Sequence, residues 1–317
     1  MKETIIVTGG CGFIGSNFIH MLNEIGFIGK IIVVDKMTYA ASVDNLGDLV
    51  KRVEICPADI SNEEKMRDVF EHCRPTWVVN FAAESHVDRS IVSSKEFVMS
   101  NVVGVQVLLD VARKFGVKRF LQVSTDEVYG DLGMNDSPSR EMDILKPSSP
   151  YSATKAAADL LVMAYGRTHG MDVVITRCSN NYGARQYPEK LIPLAIKRLM
   201  SGKKVPVYGK GDNIRDWIHV SDHCRGIWKA LIVGNKQQVY NFGGDNQVRN
   251  IDLVKMLVQM MGRTEEDGIE YVTDRAGHDY RYDIDFRRAV KELGWKPEIK
   301  FEDGLKDTVK WYQSMSQ

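Results

Sequence analysis

The stretch Gly9-Gly10-Cys11-Gly12-Phe13-Ile14-Gly15 stands between a β-branched apolar run and the first helical pattern, and it constrains the fold more than any other segment. The run before it, Thr4-Ile5-Ile6-Val7-Thr8, is short and uncharged, as a parallel strand buried on both faces is. After it, Phe13, Ile14, Phe18, Met21 and Leu22 recur at helical spacing. A side chain at the glycines would keep a pyrophosphate from the backbone N–H groups and the positive helix N-terminus. Gly-x-Gly-x-x-Gly alone is a weak sign, but strand before and helix after satisfy the condition for a dinucleotide fold.

The next strand, Ile31-Ile32-Val33-Val34-Asp35, ends in an acid 20 residues beyond Gly15. A carboxylate there accepts hydrogen bonds from ribose hydroxyls and repels a 2′-phosphate, which favours NAD over NADP; the Lys36 cation acts the other way. A third strand near Val53 to Cys56 leads to Asp59-Ile60, either an adenine contact or a plain strand-end turn. A fourth, Trp77 to Phe81, runs into Ala82-Ala83-Glu84-Ser85, where two alanines either let a cofactor lie against backbone or pack a helix. The β/α alternation from residue 4 to about 178 predicts an α/β, Rossmann-type doubly wound parallel sheet. His86, Asp88 and Arg89 have no second ligand cluster beside them, so no metal is expected.

Leu121-Gln122-Val123 is a further strand, followed by Ser124-Thr125-Asp126-Glu127 and then Tyr151-Ser152-Ala153-Thr154-Lys155. Tyr151 and Lys155, four apart on a helix, lie one turn above each other, so the ammonium can stabilise the phenolate as a base for a hydroxyl. Thr125 and the two carboxylic side chains fall at the carboxyl edge of a parallel sheet, where open α/β folds place ligands.

Past Val173-Val174-Ile175-Thr176 the rhythm changes to polar Arg177 through Gly183, punctuated later by Pro188, Pro193 and Pro206. The division is placed at 178/179: residues 1–178 as an NAD-binding domain, residues 179–317 as mainly a smaller substrate-binding lobe with some segments returning to the first domain. Lys190, Arg215 and Arg275 stand in segments read as irregular, where cations can meet a diphosphate, and Asn180 can add amide hydrogen bonds. Gly209-Lys210-Gly211-Asp212 reads as a hairpin turn. Lys plus Arg equals Asp plus Glu at 42 each, which argues against a nucleic-acid or membrane partner. The cysteines Cys11, Cys56, Cys73, Cys178 and Cys224 lack a Cys-x-x-Cys pair and read as reduced thiols of a cytoplasmic protein. With no long apolar segment and no basic leader, the chain is expected to be soluble and unexported.

These motifs resemble the extended short-chain dehydrogenase/reductases, specifically nucleotide-sugar 4,6-dehydratases of the dTDP-glucose type. The match covers essentially the whole chain: Thr8 through Gly15, Asp35 through Ala40, Ala82 through Ser90, Ser124 through Gly130, Pro150 through Lys155, Cys178 through Gly183, Pro188 through Leu191, Arg215-Asp216-Trp217 and Asp274 through Asp279. The Thr125-Asp126-Glu127 triplet is the sharper sign, since related epimerases usually lack the Asp-Glu pair.

The resemblance implies NAD contacts at Gly9, Gly12, Phe13, Ile14, Gly15, Asp35, Lys36, Thr38, Asp59, Ile60, Ala82, Ala83, Ser100, Tyr151, Lys155 and Asn181. It implies nucleotide-sugar contacts at Ser85, Thr125, Asn180, Lys190, Leu191, Pro206, Tyr208, Arg215, Asn241, Arg275 and His278. Tyr151 would deprotonate the 4-hydroxyl with Thr125 on the same oxygen and Lys155 lowering the phenol pKa, while Glu127 would take the carbon-5 proton and Asp126 protonate the departing 6-hydroxyl. A homodimer through the helix from about 96 to 115 and the helix at Tyr151 is also implied. Ala184 and Ala276 stand where the family often has proline, Ser100 where many members have threonine, and 131–142 is compact; the nucleobase stays open. The rival readings are a nucleotide-sugar 4-epimerase or decarboxylase, which has no need of an acid to expel water, and a non-catalytic NAD-binding scaffold.

Overall fold

The computed structural model describes residues 3–274 and 277–315. The first half alternates as expected: β1 (Thr4–Thr8), α1 (Phe13–Glu24), β2 (Lys30–Asp35), β3 (Val53–Pro57), α2 (Glu63–Cys73) and β4 (Trp77–Asn80). Two short helices, α3 (Val87–Val92) and α4 (Lys95–Val98), then lead through a π turn (Met99–Val103) into α5 (Gly104–Lys114). After these come β5 (Arg119–Thr125), α6 (Pro150–His169), β6 (Val173–Cys178) and β7 (Asn180–Tyr182). The rest comprises α7 (Leu191–Met200), β8 (Val205–Tyr208), β9 (Ile214–His219), α8 (Val220–Val233), β10 (Gln238–Phe242), β11 (Gln247–Arg249), α9 (Asn250–Met260), α10 (Glu265–Gly268), β12 (Ile269–Val272), α11 (Arg287–Leu293) and α12 (Phe301–Ser314).

The main sheet has seven parallel strands in the order β10-β6-β5-β4-β1-β2-β3. Successive side chains of a strand point to opposite faces, and here both faces are covered. Ile5, Val7, Ile31 and Val33 enter one apolar cluster with residues of α1 and α8, whereas Ile6, Ile32, Val34 and Val78 enter another with α2, α5 and α6. That two-sided burial is why these strands read as continuous apolar runs. The chain winds outward from β1 through β2 to β3, then crosses back to β4 on the other side of β1, so the topological switch lies between β1 and β4. Their carboxyl ends therefore open a crevice. The sheet is completed by β10, from the second half of the chain, paired in parallel with β6.

Beyond β6, β7 and β9 pair in parallel, β11 joins β9 antiparallel, and β8 pairs in parallel with β12. A third apolar cluster, including Ile192, Trp217, Leu253, Leu257 and Leu305, fills this lobe. Two expectations are corrected here. Gly209-Lys210-Gly211-Asp212 does not close a hairpin: β8 and β9 belong to different small sheets, and the turn carries the chain from one to the other, with Gly211 accepting from the Ile251 N–H at 2.9 Å. Arg215 is not in an irregular segment but within β9, paired with Val248.

Candidate functional site

A cleft of about 710 Å³ runs along the carboxyl ends of the main sheet and beneath the second lobe. Every residue expected to touch the cofactor lines it. Gly9 has φ +65°, a left-handed conformation that favours glycine, and a Cβ on it would fall 2.8 Å from the Ala82 nitrogen. A Cβ on Gly15 would collide with the Gly9 carbonyl. The glycines thus let the turn fold under the α1 N-terminus, an anion-binding position. Asp35 is buried and accepts from the N–H groups of Cys11 at 3.0 Å and Met37 at 2.8 Å. Burial pushes its carboxyl up from the ordinary range while those two bonds oppose the shift. Each oxygen keeps a lone pair for a ribose hydroxyl. The Lys36 ammonium is paired with Asp59 at 2.8 Å, which engages the cation that favoured a 2′-phosphate.

The other end of the cleft holds the titratable cluster. Thr125 ends β5, and its Oγ1 accepts from the Glu127 N–H at 3.2 Å, starting the short 3₁₀ turn Asp126–Tyr129 that carries both carboxyls. Ser149 and Ser152 form a capping box at the start of α6, with Pro150 in its first turn, so Tyr151 is held by a rigid helix end. Tyr151 also donates its N–H to Ser90 Oγ at 3.2 Å. Lys155 is buried and donates to the Val123 carbonyl at 2.7 Å.

Burial, then Glu127, then Asp216, push the Asp126 carboxyl well above its ordinary value, and its Oδ2 is buried without a protein partner. Burial and then Glu127 also push the Tyr151 phenol up, with a hydrogen bond from Thr125 opposing. The expected lowering of Tyr151 is therefore not displayed by these groups alone. Burial lowers Lys155 itself, against an upward pull from Asp159. Two adjacent carboxyls repel, and the more deeply buried of the two, Asp126, is the one whose protonated form is favoured.

Towards the second lobe, Ser85, Asn180, Lys190, Leu191, Pro206, Tyr208, Arg215 and His278 all line the cleft. Lys190 donates to the Ser85 carbonyl at 2.7 Å, and Arg215 donates to the Asp279 carbonyl at 2.9 Å with its guanidinium 4.5 Å from the Tyr282 ring. Arg275 lies outside the described residues. Asn241, expected to meet the nucleotide sugar, does not line the cleft: it is fully buried in β10, accepts from the Tyr129 hydroxyl at 2.8 Å and donates to the Ser139 and Asp285 carbonyls. It stands under the 3₁₀ turn that carries Asp126 and Glu127.

Glu189 in the cleft lining, and Asn101 and His223 behind it, were given no role from sequence. Glu189 accepts from the Tyr39 hydroxyl at 3.2 Å, and the Arg89 guanidinium lies 3.9 Å over the same ring. Asn101, in the π turn, grips Glu84 through both its N–H (2.9 Å) and carbonyl (3.0 Å). His223 meets Asn181 at 2.8 Å. A signal existed for His223: in α8 it shares the buried face with Val220, Cys224 and Ile227, where a polar side chain needs a partner. Asn101 gave none, because its partners are 17 and 53 residues away. Among the described residues no group of three or more His, Cys, Asp or Glu could hold a metal ion.

Comparison with known proteins adds relatives. The family model described as GDP-mannose 4,6 dehydratase matches residues 6–308. A dTDP-glucose 4,6-dehydratase of Actinoplanes sp. is 48% identical over 318 residues, covering 98% of each chain. The structure of a dTDP-glucose 4,6-dehydratase from Streptomyces venezuelae, solved with NAD bound, superposes with a TM-score of 0.94 at 42% identity, covering 98% of this chain and 97% of that one. A UDP-glucose 4-epimerase from Thermotoga maritima shares the fold at a TM-score of 0.92 and 31% identity, covering 99% of this chain and 100% of that one.

Proposed function

The chain belongs to the GDP-mannose 4,6 dehydratase family of extended short-chain dehydrogenase/reductases, and from that membership we propose that it converts dTDP-glucose to the 4-keto-6-deoxy sugar nucleotide, using NAD. The observation that carries the reading over an epimerase is Asp126: a buried carboxyl with one oxygen unpartnered, pushed up by burial and Glu127, in the same cleft as Tyr151. An epimerase expels no water and has no use for such an acid.

The residues present fit NAD: a glycine turn under a helix N-terminus, a ribose-accepting Asp35, a paired Lys36, and small Ala82 and Ala83 along the floor. When bound, NAD supplies the acceptor for hydride leaving carbon 4 and the donor of hydride to carbon 6. Tyr151 takes the proton of the 4-hydroxyl, and Thr125 holds the same oxygen. The resulting 4-ketone acidifies carbon 5, so Glu127 removes that proton. Asp126 delivers its proton to the 6-hydroxyl, which departs as water and leaves a carbon-5 to carbon-6 double bond. Glu127, carrying a proton after that step, would return one to carbon 5, and the hydride that bound NAD would supply to carbon 6 would complete the 6-deoxy product. Lys190 and Arg215 meet the diphosphate, with Asn180, Leu191, Pro206, Tyr208 and His278 around the nucleotide. Asn241 is left out of that set.

Residues 1–178 are read as the cofactor-binding domain and 179–317 as mainly the sugar-nucleotide lobe with some segments returning to the first domain; the pairing of β10 with β6 in the main sheet supports that return. A homodimer through α5, its leading turns and α6 is supported by outward-facing Val98, Met99 and Leu160 on those segments. A cytoplasmic location is supported by five cysteines that are all free.

The test is dTDP-glucose deuterated at carbon 4, with UDP-, CDP- and GDP-glucose alongside. Loss of one water, with the label at carbon 6 of the same molecule and solvent deuterium at carbon 5, is expected; label washing into solvent, or a retained 6-hydroxyl, transfers the assignment to an epimerase.

A further inference from the structure

Asn181 faces the catalytic end of the cleft just beyond β6, and every hydrogen on its amide is spoken for. Its Nδ2 donates to the Ser179 carbonyl at 2.9 Å and to the Cys178 sulfur at 3.2 Å. Its Oδ1 is therefore the atom that meets His223 Nδ1 at 2.8 Å, so Nδ1 carries the hydrogen and donates. That tautomer leaves Nε2 as a bare acceptor, and Nε2 is buried without a partner. His223 is fully buried, beside the Phe242 ring with centroids 6.0 Å apart. A residue placed there only to fill space would be apolar, since an unpartnered buried nitrogen is destabilising. What the imidazole provides that a phenyl ring cannot is one N–H, delivered to Asn181.

We propose that His223 is a positioning residue for the cofactor: its Nδ1–H locks the Asn181 amide in the one orientation that offers Oδ1 as an acceptor to the carboxamide N–H of nicotinamide. A flipped amide would set its oxygen against the Ser179 carbonyl and its NH₂ against the His223 N–H, so the lock acts from both sides. Burial pushes the imidazole down to about 3, which keeps His223 neutral and the tautomer fixed at any working pH. Gln186 Nε2 donates to the Asn181 carbonyl at 3.0 Å and steadies the backbone of the same residue. Nothing in the local sequence links His223 to Asn181, 42 positions apart. The proposal rests on the reading of Asn181 as a cofactor contact.

The test compares two amides that differ by one bond. Asn at 223 can place its Nδ2 where the imidazole Nδ1 stands; Gln reaches instead to the position of Nε2. His223→Asn should retain NAD through gel filtration within about 2-fold of the parent, whereas His223→Gln and His223→Phe should lose it, with affinity about 10-fold weaker, the scale of one hydrogen bond. Excess NAD should restore most of the turnover of His223→Gln. In an Asn181→Ala background, His223→Gln should add no further loss of NAD. A folded His223→Gln that retains NAD like the parent, or losses that add in the double variant, overturns the proposal. If no sugar nucleotide is dehydrated by the parent yet His223→Gln still sheds NAD, the proposed reaction fails and the positioning role stands.

Discussion

Asn101 Nδ2 lies 2.9 Å from Thr154 Oγ1, and the same side chain holds both backbone groups of Glu84. One amide thus ties the loop that follows β4 to the helix bearing Tyr151 and Lys155. Its π turn supplies the geometry: an extra residue per turn re-aims a side chain that regular helix would direct elsewhere.

Asn101→Ala should leave the Glu84 N–H and carbonyl without their partner in a partly buried place. Two lost bonds of that kind amount to about 2–4 kcal/mol. Chemical denaturation should show that loss, and kcat should fall with it because Tyr151 is no longer braced against the cleft floor. Unchanged stability would mean that water replaces the amide.

The buried ion pair between Arg177 and Asp159, at 2.9 Å with both side chains almost fully enclosed, supports the same helix from below. Arg177 also donates to the Tyr129 hydroxyl at 2.8 Å, and so reaches the turn of Asp126 and Glu127. Arg177→Met should destabilise by about 3–5 kcal/mol, because it strands a carboxylate in the core. Replacing both residues with apolar ones should recover much of the loss; if the double variant is no better than the single, the pair contributes more than mutual neutralisation.

The main sheet and the chemistry at its edge were legible because both are written locally. Two-sided burial makes β1 and β2 short apolar runs, the glycine turn follows β1 directly, and Tyr151 and Lys155 are fixed by helical spacing. What escaped notice depends on chain segments meeting from afar. The segment around Arg215 does not show itself as a strand in sequence, because β9 belongs to a small mixed sheet whose partners, β7 and β11, are only three residues long. Nothing near Asn241 in the sequence signals the Tyr129 hydroxyl from which it accepts, 112 positions away. Asn101, Glu189 and His223 act through partners 17 to 150 positions away.

Dehydration should separate from oxidation by mutation. Asp126→Asn removes the proton donor and Glu127→Gln the base, so each should lower product formation by about 10²-fold or more while a dTDP-glucose pulse still develops the absorbance of reduced cofactor. Tyr151→Phe should abolish that absorbance. Equal loss of both signals in Asp126→Asn would place Asp126 in the oxidation step.

Acid should unfold the protein partly through His223. In the unfolded chain an imidazole titrates near 6.5, whereas in the fold burial pushes His223 down to about 3. Above 6.5 both states carry the neutral ring and the group contributes no pH dependence. As pH falls from 6.5 towards 3, the unfolded chain binds a proton that the fold refuses, so this group's contribution is lost at about tenfold in the folding equilibrium per pH unit. Buried Asp126, pushed upward, works in the opposite sense: it favours the fold at low pH and costs stability as pH rises through its folded value. Asp35, Asp159 and Asp216, raised by burial as well, act in the same sense as Asp126, so the imidazole is isolated only by comparing the parent with a variant that lacks it. Between pH 7 and pH 4 the urea midpoint of His223→Phe, whatever its stability at pH 7, should fall less, or rise more, than that of the parent. Parallel curves would mean that the imidazole is protonated inside the fold, and that its hydrogen bond to Asn181 is not held by a neutral ring.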